Sequence, residues 1–241
     1  IKILKNKIFL VNQDNRLLCL DIKDGTIIWD IRSIASFIKS QNLVSLAITK
    51  KENLIVLFSS GDLLKVDTND GKVYWTLNST ASTLAHDSDF FASSDIVIGD
   101  NEIIFSTSSA LYSYNLETGY FNWQNNIGSK STPILDGKNI FLVSNSGYFV
   151  KVDRKTGAID WSTNIFKILK EKRRNTTVSG FVMGSTKVYI TTLNGYLIVC
   201  SAENGKTEYF KKLGDGITAA PIISNGELYV LTQDSKIFGF N

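Results

Sequence analysis

The residues Asp21, Gly25 and Trp29 stand at four-residue steps, and the same spacing returns along the chain. It recurs as Asp67, Gly71, Trp75; as Asn115, Gly119, Trp123; as Asp153, Gly157, Trp161; and, weakened, as Ser201, Gly205, Tyr209. An apolar residue precedes the first position by four places each time: Leu17, Leu63, Leu111, Phe149 and Leu197. The aromatic positions are 38 to 48 residues apart. A period of about 40–50 residues built from short strands is the signature of propeller blades. Local chemistry explains the spacing. An Asp or Asn starts a tight turn by bonding its own backbone, and the Gly accepts positive φ. The aromatic then lies on an outer strand, placed to wedge against the neighbouring blade. Burying one Trp removes about 150–250 Å² from water, roughly 4–6 kcal/mol gross as an upper bound.

One complete unit spans residues 132–161, TPILDGKNIFLVSNSGYFVKVDRKTGAIDW. Pro133–Leu135 supplies a short first strand, Ile140–Ser144 a second and Tyr148–Asp153 a third. Ala158–Trp161 begins the fourth. Asn145, Ser146, Gly147 and the stretch Arg154–Gly157 carry the turn residues between them. The chain as a whole reads as an all-β propeller of four-stranded antiparallel blades. Six blades or partial blades fall at about 1–31, 43–77, 94–126, 131–164, 178–212 and 218–241, in one domain. The last unit stops at Asn241, the turn position, so its outer strand is not in the chain. Upstream sequence that completes a larger ring is expected, or else an open ring with unpaired edges. The chain also begins at Ile1 without Met, as a processed product would.

Composition narrows the function classes. Lys and Arg number 26 against 23 Asp and Glu, a net charge of +3 that argues against nucleic-acid binding. The basic character is local. Lys167, Lys170, Lys172, Arg173 and Arg174 face one acid, Glu171, within residues 166–177, read as a solvated loop. No apolar run is long enough to cross a membrane as a helix. Cys19 and Cys200 fall in equivalent third strands of the first and fifth units, so a disulfide is not expected. His86 is the single histidine. It cannot supply a His-rich metal site, and Asp87 and Asp89 beside it read as loop solvators. No nucleophile-turn motif accompanies it. No metal, cofactor or catalytic residue is expected.

These repeats resemble the quinoprotein-type (PQQ-like) β-propeller family. The family's usual Ala two places before the Asp is replaced here by Cys19, Lys65, Ser113, Lys151 and Val199. Within that family the segments GYLIVCSAENGK at 195–206 and LGDGITAAPIISNGELYVLTQDSKIFGFN at 213–241 are similar to the last blades of the BamB family, propeller lipoproteins of the outer-membrane β-barrel assembly machine. The resemblance implies an eight-bladed propeller with about two blades and a lipidated N-terminus upstream. It implies a non-catalytic scaffold in the periplasm, tethered to the inner leaflet of the outer membrane of a Gram-negative bacterium. The implied partners are the periplasmic (POTRA) domains of the barrel-assembly protein, and also unfolded outer-membrane proteins. Family members bind the former with an aliphatic and basic loop in one blade and an acidic loop in the next. The matching connections are 33–42, with Phe37, Ile38 and Lys39, and 78–94, with Asp87 and Asp89.

Three other readings compete. A quinoprotein dehydrogenase shares such blades but needs a cofactor cage, commonly with adjacent cysteines and a calcium-binding acidic set, which this sequence lacks. A luminal sensor domain of the stress-kinase type would continue into a membrane span and a kinase. WD40 propellers are disfavoured because no Gly-His pair occurs and a Trp-Asp pair occurs only once, at Trp29-Asp30.

Overall fold

The computed structural model describes residues 1–32, 45–79, 93–173 and 176–241. The described residues form six antiparallel sheets in chain order, each a meander whose sequential strands pair as neighbours. Five sheets have four strands and the sixth has three. The first blade consists of Lys2–Leu4, Lys7–Val11, Arg16–Asp21 and Ile27–Arg32. The second consists of Ser45–Ile48, Asn53–Leu57, Asp62–Asp67 and Val73–Asn78. The sixth consists of Ile222–Ser224, Glu227–Leu231 and Ile237–Phe240. Contacts divide the chain into two compact units, Ile1–Lys130 and Ser131–Asn241, with three blades in each.

The turn chemistry follows the repeat. The Gly25 amide donates to the Asp21 carbonyl at 2.9 Å, and the Asp21 carboxylate accepts from the Lys23 amide at 2.7 Å. Asn115 and Asp153 each accept from two backbone amides in the same way. Past the turn the register slips by one residue, a bulge between Cys19 and Leu20 that recurs between Lys65 and Val66 and between Lys151 and Val152. Such a bulge raises the local twist and re-aims the strand. It brings the aromatic opposite the residue two before the Asp: Cys19 faces Trp29, Lys65 faces Trp75 and Lys151 faces Trp161.

The aimed indole lands on the next blade. In the first unit a Cβ added to Gly71 would lie 2.9 Å from the Trp29 ring, and one added to Gly119 would lie 2.9 Å from the Trp75 ring. In the second unit a Cβ on Gly205 would lie 2.6 Å from Trp161. Gly71 and Gly119 also sit at φ of 76° and 75°. The turn glycine is thus required twice, once by its backbone and once by the ring stacked on it. Gly25 has the same backbone, φ 73°, but nothing within 4 Å of the added Cβ.

Burial explains why middle blades read as continuous apolar runs. Strand Asn53–Leu57 sends Leu54 and Val56 into a cluster with Phe9, Leu17 and Cys19 of the first blade. Its alternate residues Ile55 and Leu57 join Phe105, Tyr112 and Tyr114 of the third blade. Successive side chains point to opposite faces of a strand, and here both faces are covered. In the second unit Phe141 and Phe149 of the fourth blade pack with Val188, Ile190 and Ile198 of the fifth. The segment expected to be a solvated loop is instead a 3₁₀ helix, Ile165–Arg173. Asn164 caps it by accepting from the Phe166 and Lys167 amides. Ile165, Phe166 and Leu169 are buried, and Phe166 packs over Gly147. Its apolar residues outweighed the basic ones in deciding local structure, because burying three of them anchors the segment to the blade.

The two glycine roles separate by mutation. Gly25→Ala is expected to cost about 1–2 kcal/mol, the left-handed backbone penalty alone. Gly71→Ala adds a clash with Trp29 and is expected to cost about 2–4 kcal/mol. Urea unfolding followed by tryptophan fluorescence reads the difference, and equal losses would remove the wedge contact as the cause. Trp161→Ala is expected to cost about 3 kcal/mol in the same measurement, since it strips the packing between Phe141, Phe149 and Gly205.

Candidate protein-docking face

The partner-binding residues expected from sequence, Phe37, Ile38, Lys39, Asp87 and Asp89, lie in stretches 33–44 and 80–92, outside the described residues. His86 lies there too. The described structure does show what holds the roots of both connections. Each leaves its blade at the end of an outer strand, and by register that end pairs with the start of the third strand: Arg32 with Arg16, and Asn78 with Asp62. Both therefore emerge at the blade edge away from the Asp-Gly turns.

A buried polar frame occupies that edge. Asp62 is 4% exposed, and its carboxylate accepts from Asn78 Nδ2 at 2.7 Å and Ser60 Oγ at 2.8 Å. Asn15, fully buried, accepts from Ser59 Oγ at 3.0 Å. The Ser79 amide donates to the Gly61 carbonyl, fixing the chain as it leaves the second blade. Where the chain returns, Ser94 Oγ accepts from the Ser106 amide at 2.9 Å. Ser45 Oγ accepts from the Ile96 amide at 2.7 Å, so the ends of the two connections are tied to each other. On the rim Arg16 pairs with Asp30 at 2.6 Å. A satisfied buried network of this kind is rigid, and removing one member strands its partners. Sequence reasoning missed Ser45, Asp62 and Asn78 because each is an ordinary turn or strand-end residue in its own repeat. One signal was present: Asp62 stands five places before its turn residue, where the other complete units have Arg16, Ala110, Tyr148 and Tyr196.

The opposite edge joins blade to blade. Lys7 Nζ donates to the carbonyls of Thr68 and Asn69 in the second blade's turn, at 3.1 and 3.3 Å. Lys65, whose side chain is 6% exposed, reaches Glu117 in the third blade's turn at 2.6 Å, and Lys51 reaches the same carboxylate at 2.8 Å. In the second unit Trp161 Nε1 donates to the Glu203 carbonyl at 3.1 Å. Asn69, Glu117 and Glu203 are the same position, two after the turn's first residue. Lys151, the counterpart of Lys65, turns instead to Asp160 of its own blade at 3.3 Å. The bonds from Lys51 and Lys65 hold the Glu117 carboxyl down at about 2.

Little else offers chemistry. Among the described residues no three His, Cys, Asp or Glu side chains gather closely enough to hold a metal ion. Both cysteines are free and buried, and burial pushes the Cys200 thiol up to about 11, far from a reactive thiolate. A pocket of 430 Å³ lies between the fifth and sixth blades, lined by Lys187, Tyr189, Ile223 and Leu228 among others. Lys187 is the one charged side chain of its lining and pairs with Glu208 at 3.2 Å.

Antiparallel meander blades, five of the six turning on an Asp-Gly-aromatic repeat or its Asn and Ser variants, define a propeller of PQQ-like repeats. A family model described as outer membrane protein assembly factor BamB matches residues 2–163, and the chain belongs to that family. No curated protein sequence matches the chain. The crystal structure of BamB from Moraxella catarrhalis superposes with a TM-score of 0.78 at 15% identity, covering 98% of this chain and 70% of that one. The quinohemoprotein alcohol dehydrogenase from Comamonas testosteroni superposes with a TM-score of 0.65 at 13% identity, covering 98% of this chain and 44% of that one. At these identities the likeness to either structure is one of fold.

The Glu117 clamp predicts an acid response. Its folded value of about 2 lies below the ordinary 4.5, so its contribution is whole above the ordinary value and is lost as pH falls toward 2. Glu117 is 44% exposed, so the pair is discounted to roughly 1 kcal/mol, a Tm gap of about 2–4 °C between wild type and Glu117→Gln at neutral pH. Thermal melts across pH should show that gap closing in acid; a gap independent of pH would refute the clamp.

Proposed function

We propose that this protein is a non-catalytic scaffold of outer-membrane β-barrel assembly. It acts in the periplasm and binds the periplasmic domains of the barrel-assembly protein. The observation that carries the reading is the BamB family match over residues 2–163. The buried frame that ties the roots of two adjacent connections supports it, since a protein-binding loop works best when a rigid base presents it. In this reading Phe37, Ile38 and Lys39 on one connection and Asp87 and Asp89 on the next form the contact. An apolar anchor flanked by charge is the usual make-up of an interface hot spot. The protein reaches the membrane through a lipid anchor upstream of this chain, and the six blades are part of a larger single propeller domain. Unfolded outer-membrane proteins are a second class of partner.

The fold shared with the quinohemoprotein alcohol dehydrogenase raises quinone chemistry as the second reading. A calorimetric titration into the partner's periplasmic domains, beside a spectral titration with the quinone, distinguishes the two. Saturable protein binding is expected, with affinity falling by about 10–30-fold in Phe37→Ala combined with Lys39→Glu, the loss of a hot-spot side chain. A similar fall is expected when Asp87 and Asp89 are both changed to Ala. Unchanged affinity in both variants would move the contact elsewhere. Saturable quinone binding without protein binding would replace the scaffold reading.

A further inference from the structure

Three Asn-Gly pairs occur in the chain: Asn194 with Gly195, Asn204 with Gly205, and Asn225 with Gly226. Such a pair carries a latent reaction. The backbone nitrogen after the Asn can attack the side-chain amide carbon and close a five-membered succinimide. The attack needs that nitrogen's proton to be removable and needs room for the ring to form. All three glycines have positive φ, 84°, 71° and 81°, so their own backbone does not separate them.

Their surroundings do. The Gly195 amide donates to the Thr192 carbonyl, and the Gly205 amide to the Ser201 carbonyl, both at 2.9 Å. Both glycines are buried, and a Cβ on them would lie 2.0 Å from the Gly214 carbonyl oxygen and 2.6 Å from Trp161. Their Asn side chains are engaged as well. Asn194 Nδ2 donates to Thr176 Oγ1 at 2.9 Å, and Asn204 Oδ1 accepts from the Lys206 amide at 3.0 Å. The third pair is different on each count. Asn225 and Gly226 are exposed and form the two-residue loop of the sixth blade's first hairpin, closed by Ser224 opposite Glu227. Asn225 has φ 51°, the geometry of a tight Asn-Gly hairpin turn. The Gly226 amide donates to no carbonyl among the described residues, and nothing lies within 4 Å of its added Cβ.

We propose that Asn225 is a modification site of the folded protein, deamidating through a succinimide formed with Gly226. Solvent base removes the Gly226 amide proton, and the nitrogen forms a bond to Asn225 Cγ. The Cγ–Nδ2 bond breaks, and ammonia leaves with a proton returned by solvent. Water then opens the ring at either carbonyl to give aspartate or isoaspartate, so the net change is one water taken up and one ammonia lost. The product places a new carboxylate on the hairpin, beside the 430 Å³ pocket that Gly226 and Lys187 help line. The isoaspartate form adds a methylene to the backbone, and the two-residue turn can no longer close in the Ser224–Glu227 register.

The full chain is incubated in mildly alkaline buffer, folded or in concentrated urea, and tryptic peptides are followed by tandem mass spectrometry. In the folded protein Asn225 is expected to convert at least about tenfold faster than Asn194 or Asn204, because their glycine amides must first break a hydrogen bond. In urea the three rates should converge within about threefold, once the protecting structure is gone. Equal rates in the folded protein would overturn the proposal. So would conversion at Asn225 in urea alone, which would mean that the hairpin protects it.

Discussion

The contact on which the rest of this fold depends is an indole seated on the turn glycine of the next blade. Trp29 on Gly71 and Trp75 on Gly119 are two instances in one unit, and Trp161 on Gly205 is a third in the other. The contact makes several demands at once. It needs a residue without Cβ, a side chain that starts the turn, and a register slip that aims the ring. The Asp-bonded turns and the bulges at Cys19/Leu20 and Lys65/Val66 meet them. With the indole in place, neighbouring blades cover each other's faces. A strand such as Asn53–Leu57 can then be apolar on both sides without exposing either.

This arrangement gives each blade two edges with different work. The Asp-Gly edge joins blade to blade, and its acceptors are filled by Lys7, by Lys65 with Lys51, or by Trp161. The other edge carries the connections. There the polar groups are buried and mutually bonded, as Asp62 with Asn78 and Ser60, and Ser45 with Ile96. Such a base fixes the spacing between the roots of the two connections.

Most of the fold was legible because a repeat states the same requirement several times. Four tryptophans at one spacing from a glycine cannot all be accidents of a core. The candidate site was far less legible. Phe37, Ile38, Lys39, Asp87 and Asp89 sit on connections that no repeat constrains, so they were reached through resemblance rather than physical necessity. The 3₁₀ helix Ile165–Arg173 was hidden for a related reason. Its basic residues suggested a solvated loop, while its apolar residues Ile165, Phe166 and Leu169 had no periodic frame to identify them as buried.

Sequence alone determined the blade, the turn and the outer-strand aromatic, because each follows from local backbone preference and a side-chain period of two. The tertiary structure decided which donor serves each turn. Lys65 and Lys151 occupy the same position two residues before an Asp, yet Lys65 crosses to Glu117 while Lys151 stays with Asp160 in its own blade. Both lysines have a Glu at the same turn position of the next blade, Glu117 and Glu203, so the residue types do not make the choice; the placement of the facing blades does. No single repeat carries that information. It exists only once two blades lie face to face and the acceptors of one come within reach of the donors of the other.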